Sequence, residues 1–442
     1  MPHLLLVIPW MNIGGADSFN LALLRQLRER GWGATVVTTL PSAHPWRAQF
    51  ADAADRLVDL AAHPPEEAPA RLLAAARQSG ADALLVSNST QGYRALPYLH
   101  AHLPGLPAAD YSHAYSAWRD GGYPRLSLQN APHLDRQIVA SRNLRNWMVE
   151  RGGNPDRIAV CPINVDTNAW RPDAALRAAT RAALQIPPHA PVVLYAARLE
   201  REKQPALAAA VMRAAAEQVG AVVFLVAGAG QYSGFLRSFV RAHGLEGRIR
   251  LLGAVDSERM RELLAASNVL FLPSEMEGIS MAIYEAMATG VVPLAADVGG
   301  QAELVTPECG VLVARGPGER ADYERALLRL LNNPLSLRRM GSAARERVER
   351  HFPLSQMGER MDALLREARA AHDASPPTPV SPAAALAAAR DAIAAARLDL
   401  SEARPGSGLR PRLRAAYWRL VDAGAWQLVP LADRLRALRG KS

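Results

Sequence analysis

The stretch NVLFLPSEMEGISMAIYEAMATG, residues 268–290, reads as a strand, a loop and a helix in succession. NVLFLPS is a short, continuous apolar run, the signature of a strand buried on both faces. SEMEG is a polar loop. ISMAIYEAMATG is a helix ended by Gly290, which suits the left-handed position after a helix. Glu277 then falls in the loop and Glu285 about two turns into the helix, eight residues apart. The pair could be a catalytic acid and base, two ligand contacts, or a loop cap and a surface helix residue. The unbonded amides at the helix start, near Ser280, Met281 and Ala282, favour an anion in any of these cases.

The same alternation extends in both directions. Apolar strand-like runs recur at 4–10, 34–39, 81–88, 136–141 and 158–163, and again at 191–198, 221–228, 248–254, 291–297 and 310–314. Helical patterns separate several of them, as in Ser18 to Arg30 before Gly31. Such runs predict α/β architecture with parallel sheets covered on both faces. A Pro-bearing connector, 170–191, divides the two series. The expected organisation is two Rossmann-like doubly wound domains, 1–170 and 188–340, then a helical stretch at 341–372. Residues 373–442 add a Pro/Ser/Ala-rich linker and two helical patterns, 384–403 and 411–439.

At 442 residues the chain is long enough for two or three domains. No apolar run reaches the roughly 18 residues of a membrane span. No basic segment precedes the first apolar run, so no signal peptide is expected. Two cysteines, Cys161 and Cys309, form neither a disulfide framework nor a metal-ligand pattern, which fits a reducing, cytoplasmic setting. The net charge of +9 is a weak pointer to nucleic acid. Only Lys203 and Lys441 are lysines, a usage that suits coding bias, and much of the excess lies beyond Ser401. There nine Arg and Lys face three Asp and Glu.

In doubly wound domains chemistry gathers in loops after the strands. Gly14-Gly15, after the first strand, either let the backbone approach a ligand or form a tight turn. Arg198 and Lys203 flank the turn AARLEREKQPAL (196–207) and suit a diphosphate, Arg as a fork and Lys as a point charge. The competing reading is a solvated charged loop. VAGAGQYSGF (226–235) carries Gly228 and Gly230 but fails the dinucleotide fingerprint in spacing and lacks its acidic residue. A phosphate-facing turn remains; a nicotinamide enzyme does not. ADVGGQAELV (296–305) is a further Gly-Gly turn with Glu303 beyond. His113 follows a strand end in the first domain, at a place a structural histidine could equally occupy.

Arg198 and Lys203 (R-x4-K) followed by Glu277 and Glu285 (E-x7-E) resemble the motifs of the retaining glycosyltransferases of family 4, which have the GT-B fold. The Gly14-Gly15 loop and VCPINVDTNAWRP (160–172) agree with that resemblance, which covers about residues 1–370. It implies an N-terminal acceptor-side domain and a C-terminal nucleotide-sugar domain facing across a cleft, with 353–372 returning to the first. It implies that Arg198 and Lys203 hold the donor diphosphate, Glu285 the ribose and Glu277 the sugar hydroxyls. The amides of Ser280, Met281 and Ala282 would hold phosphate, and His113 would lie near the donor sugar. Ser280 and Ala197 depart from the usual Gly or Pro and Gly, without loss of a charge. The 373–442 tail has no counterpart in the family core.

No DxD motif is present, so no metal and no cofactor are expected; the leaving diphosphate would be neutralised by cations and a helix N-terminus. The implied activity is transfer of a sugar from a nucleoside-diphosphate sugar to a glycan or lipid-linked acceptor, by family habit in bacterial surface polysaccharide synthesis. The alternatives are a glycoside phosphorylase or hydrolase, which leaves Arg198 and Lys203 without a role, and a non-catalytic sugar-nucleotide-binding scaffold. The Arg-rich segment 410–440, with Tyr417, Trp418 and Trp426, suits either an anionic membrane surface, at the inner face of the cytoplasmic membrane, or packing on the body.

Overall fold

Among the described residues thirteen strands form two sheets, and every pairing between these strands is parallel. The computed structural model describes residues 1–116, 121–375 and 380–403. The chain divides into two compact units. Of the described residues, the first comprises Met1–Ile163 and the segment from Leu354 to Ala403; the second comprises Asn164–Pro353.

The first unit holds β1 (His3–Ile8), β2 (Gly33–Thr38), β3 (Arg56–Asp59), β4 (Ala83–Ser87), β5 (Ala108–Ser112), β6 (Arg136–Val139) and β7 (Ile158–Val160). Their order is β3-β2-β1-β4-β5-β6-β7, so the winding reverses between β1 and β4. Leu4 to Ile8 are fully buried, as a central strand covered by helices on both faces requires. β3 and β5 are the strands that apolar runs do not announce; β5 is AADYS, buried throughout but interrupted by Asp110. β3 lies at the sheet edge, partly exposed, and its RLVD holds only two apolar residues.

The second unit holds β8 (Val192–Ala196), β9 (Val223–Ala227), β10 (Ile249–Gly253), β11 (Val269–Leu272), β12 (Val292–Ala296) and β13 (Val311–Val313). Their order is β10-β9-β8-β11-β12-β13, reversing between β8 and β11. Phe224, Phe271 and Tyr323 are buried at the centre of its core.

Three expected boundaries change. The connector 170–191 is not a spacer, because its helix Ala174–Ala183 belongs to the second unit. Asp173 caps that helix, accepting from the Leu176 amide. Arg181 is buried and donates to the carbonyls of Ala266, Pro187, Pro188 and Ala190, so the segment is bolted to the body. The stretch 341–372 is not one helix but the ends of two, Pro334–His351 and Leu354–Ala374, separated at Phe352-Pro353, where proline disfavours helical geometry in the residue before it. The second of these packs in the first unit. Trp32 Nε1 donates to Asp362 Oδ1 at 2.7 Å, and Arg369 donates to the carbonyls of Gly105 and Asp82. The linker is correspondingly shorter, since the helix runs to Ala374 and the next, Pro382–Ala403, opens two residues before the expected 384. That last helix buries Ala388 and Ala392 and pairs Arg397 with Glu66 at 2.6 Å in the first unit. The 410–440 pattern lies outside the described residues. Among the described residues no helix is long and apolar enough to cross a membrane.

Candidate active site

In the second unit the candidate residues come from loops at the carboxyl ends of β8 and β11, the neighbouring strands where the winding reverses. Lys203 ends a short 3-10 turn, Arg201–Lys203, after β8; Glu277 lies in the loop after β11. Strand pairing brings the two loops together although 74 positions separate these residues. Lys203 Nζ donates to Glu277 Oε1 at 2.5 Å, and Ser274 Oγ donates to the same oxygen at 2.7 Å. The two side chains retain 17% and 11% of their surface, so the pair is mostly shielded yet still reachable.

Several bonds hold this geometry. Gln204 has a left-handed backbone, φ 52°, which turns the chain from the 3-10 segment into the helix Pro205–Gln218. Its Nε2 donates to Pro273 O at 2.6 Å. The Glu275 amide donates to Glu202 O, and the buried Tyr195 hydroxyl donates to Lys203 O at 2.8 Å. Arg198 is different. It is 67% exposed and donates to Glu202 Oε1 at 2.8 Å, a solvated pair that a stronger anion can replace at little cost. Sequence reasoning passed over a neighbouring charge chain: Arg201 pairs with Glu275, and Arg315, after β13, pairs with Glu275 and Glu319. Its one signal was a strand-end arginine, too common to single out.

Glu285 is the fifth residue of the helix Met281–Ala288, nearer its start than the two turns expected, because the helix opens at Met281 and not Ile279. Ser280 occupies the N-cap without a side-chain cap bond, so the first-turn amides around Met281 and Ala282 keep the anion preference of a helix N-terminus. Glu285 is half-buried, and no side-chain partner to it is found among the described residues. Burial pushes its carboxyl up to about 8.

The glycines serve close packing of loops. Gly228 has φ 147°, and a Cβ there would lie 1.9 Å from Ala197 O. At Gly230 a Cβ would lie 2.6 Å from Leu199 O, in the loop that carries Arg198. Gly299, with φ 58°, would place a Cβ 2.0 Å from Glu277 O, and the Gly300 amide donates to Gly278 O. Two glycine turns thus press on the loops of Arg198 and Glu277.

The first unit carries the remaining candidates. Gly14 is extended, precedes the helix Gly15–Arg28, and offers no side-chain cap. Asp17 in its first turn is buried, which lifts its carboxyl to about 7 against hydrogen bonds from Asn12 and Trp10. His113 follows β5. Its Nε2 lies 3.3 Å from Ser87 Oγ, and its ring meets Phe19 and Tyr111 edge-on. Burial lowers it to about 3, so at neutral pH it is an uncharged donor or acceptor. Arg198, Lys203, Glu277, Ser280, Met281, Ala282, Glu285, Gly228 and Gly230 belong to the second unit, where Lys203 and Glu277 meet, and Gly14, Gly15 and His113 belong to the first. Among the described residues no group of three His, Cys, Asp or Glu is arranged to hold a metal ion.

Residues 177–347 match the family model described as glycosyl transferases group 1. D-inositol 3-phosphate glycosyltransferase of Nocardia farcinica is 33% identical over 221 residues, covering 48% of this chain and 48% of that protein. Alpha-maltose-1-phosphate synthase of Mycolicibacterium smegmatis is 27% identical over 321 residues, covering 66% of this chain and 81% of that one. GDP-mannose-dependent monoacylated alpha-(1-6)-phosphatidylinositol monomannoside mannosyltransferase of Corynebacterium glutamicum is 29% identical, covering 52% and 61%. The chain thus spans about half the length of the first of these. Among solved structures, HepE of Anabaena, in complex with UDP and glucose, has a TM-score of 0.70 at 19% identity, over 83% of this chain and 100% of that one. Sucrose-phosphate synthase of Thermosynechococcus elongatus gives 0.69 at 21%, over 84% and 100%. Two doubly wound units of the GT-B fold are common to them and this chain.

Proposed function

We propose, from the match of residues 177–347 to the model of glycosyl transferases group 1, that this chain is a retaining, metal-independent glycosyltransferase using a nucleoside-diphosphate sugar. The observation that carries the reading is the Lys203–Glu277 pair at the β8/β11 switch point, with the half-buried Glu285 on the helix that follows. A phosphorylase or hydrolase would use the two glutamates as acid and base. Here Glu277 is already engaged by an ammonium and a hydroxyl, which suits a carboxylate that accepts bonds more than one that delivers a proton.

In this reading the sugar C1–O bond to the β-phosphate breaks through an oxocarbenium-like state. Negative charge grows on the leaving diphosphate. Lys203, Arg198 and the amides of Ser280, Met281 and Ala282 stabilise it, a preorganised electrostatic effect. Diphosphate takes the place of Glu202 on Arg198 and shares the Lys203 ammonium with Glu277, whose second oxygen accepts from sugar hydroxyls. Glu285 accepts from the ribose. The acceptor hydroxyl bonds to C1 on the face the phosphate leaves, and its proton passes to the departing phosphate oxygen. Gly228 and Gly230 support the Arg198 loop. The acceptor is a glycan or lipid-linked sugar of the cell envelope, taken up on the cytoplasmic side; the relative named for a monoacylated phosphatidylinositol monomannoside supports a lipid-linked acceptor.

Incubation with UDP-, GDP- and other NDP-sugars and envelope-glycan acceptors, followed by NMR of the product's anomeric proton, tests the proposal. Transfer with the donor's anomeric configuration kept is expected. Inverted product, or glycan cleavage in place of synthesis, would sink it.

A further inference from the structure

Ser274 lies two residues beyond the end of β11 and is fully buried. A hydroxyl has one proton to donate, and away from water it must find a protein acceptor. That acceptor is Glu277 Oε1, at 2.7 Å, the oxygen that Lys203 Nζ also meets at 2.5 Å. Glu277 Oε2 has no partner among the described residues, yet it is not sealed from solvent. The carboxylate therefore has one oxygen held twice and one left to offer.

The two donors hold that oxygen in unlike ways. Lysine reaches it on a flexible four-carbon stem. Serine reaches it on a single carbon, from a backbone that is itself pinned. Gln204 Nε2 donates to Pro273 O at 2.6 Å, and the Glu275 amide donates to Glu202 O at 2.7 Å. Lys203 and Gln204 are neighbours in one loop, Pro273 and Ser274 in the other, so these bonds close a ring across the two loops. The terminal torsion of a glutamate is broad and two-fold, so one flexible ammonium does not decide which oxygen faces out. A second, rigid donor on the same oxygen does.

We propose that Ser274 is a positioning residue for Glu277: its hydroxyl fixes Oε1 and so presents Oε2 to the hydroxyls of the donor sugar. The assignment rests on the glycosyltransferase reading above. In that reaction Lys203 divides its ammonium between Glu277 and the diphosphate, while the buried hydroxyl keeps its single acceptor. The two halves of the donor then respond differently to its loss. The nucleoside diphosphate is held by Arg198, Lys203, Glu285 and the helix amides, none of which Ser274 bonds. The sugar is held through Glu277.

The test compares Ser274→Ala, Ser274→Cys and Ser274→Thr in the full chain, with the nucleoside-diphosphate sugar that the wild type turns over. Alanine removes the donor and the volume. Cysteine keeps the volume with a weak donor, and threonine keeps the donor and adds a methyl group. In both Ala and Cys variants kcat should fall about tenfold to a hundredfold, the worth of a hydrogen bond to a charged group. Threonine should recover most of that loss. Calorimetric affinity for the free nucleoside diphosphate should stay at the wild-type value throughout. A packing role gives the opposite order, with cysteine near wild type and threonine worst. That order, wild-type turnover in Ser274→Ala, or nucleotide affinity falling in step with kcat overturns the assignment. If threonine does not fold, the other two variants decide, because they differ in volume and share the lost donor. A wild type that turns over no such donor removes the functional reading and this assignment together; an active wild type with an equally active Ser274→Ala removes the assignment alone.

Discussion

Glu285→Gln should make the ligand-free protein more stable while weakening the donor. Glu285 titrates at about 8 when folded against an ordinary 4.5, and burial is the cause. A carboxyl raised on folding holds its proton more tightly in the native state. Its unfavourable contribution is therefore absent below the unfolded value, grows as pH rises from 4.5 towards about 8, and is constant above. At about 1.4 kcal/mol per pH unit the ceiling is near 5 kcal/mol. The side chain is only half-buried, and solvent screening brings the expected figure to about 2 kcal/mol. Glutamine removes the charge and keeps the shape. Denaturant melts of wild type and variant should coincide near pH 4.5, then diverge in favour of the variant, with the gap level above about pH 8. Nucleotide titrations should show the reverse order, because ribose hydroxyls donate better to a carboxylate than to an amide. The wild-type complex should also release protons to a neutral buffer as binding favours the ionised form. A variant no more stable than wild type at high pH would refute the assigned environment. Equal nucleotide affinity in the two proteins would refute the assigned role.

Other expectations follow from the same geometry. Gly228→Ala must move a Cβ away from Ala197 O, 1.9 Å off, at a backbone angle L residues rarely adopt, so it should cost about 3 kcal/mol in melts and lower turnover through the Arg198 loop; a wild-type melt would show that the loops are loosely packed. His113 is lowered to about 3 against 6.5 in the unfolded chain, so the stability it allows is present above 6.5 and is lost as pH falls towards 3. His113→Phe should flatten that acid limb in melting curves recorded against pH. EDTA should leave the transfer rate within about twofold, since cations of the protein are assigned the leaving-group charge; loss restored by Mg2+ would overturn that assignment.

Much of the fold was legible because central parallel strands announce themselves. LLLVI, VVLYA and VFLVA are buried on both faces and read as unbroken apolar runs. What escaped was half-exposed, broken by polar residues as in the buried AADYS of β5, or bound by unusual chemistry. The edge strand β3 has no apolar run. The helix Ala174–Ala183 looked like a connector because an arginine, Arg181, supplies its anchorage, and arginine in sequence reads as surface. At the candidate site the charged types and their spacing were visible, and the loops after β8 and β11 were placed correctly. The contact between Lys203 and Glu277 was not visible, since it depends on which strands are neighbours. Nor could sequence show Gly228 and Gly299 as spacers between loops, because the same residue suits a phosphate turn and a tight backbone crossing.

The most direct test is the effect of Lys203→Ala on turnover with whichever nucleoside-diphosphate sugar the chain uses. Lys203 is a half-buried ammonium whose pair, Glu277, is not otherwise neutralised by a charge, so its loss removes the more shielded of the two cations assigned to the leaving diphosphate. Loss of a cation of this kind should lower kcat by about 10²-fold to 10³-fold, with the fold intact by circular dichroism. Near-normal turnover in a folded Lys203→Ala protein would contradict it.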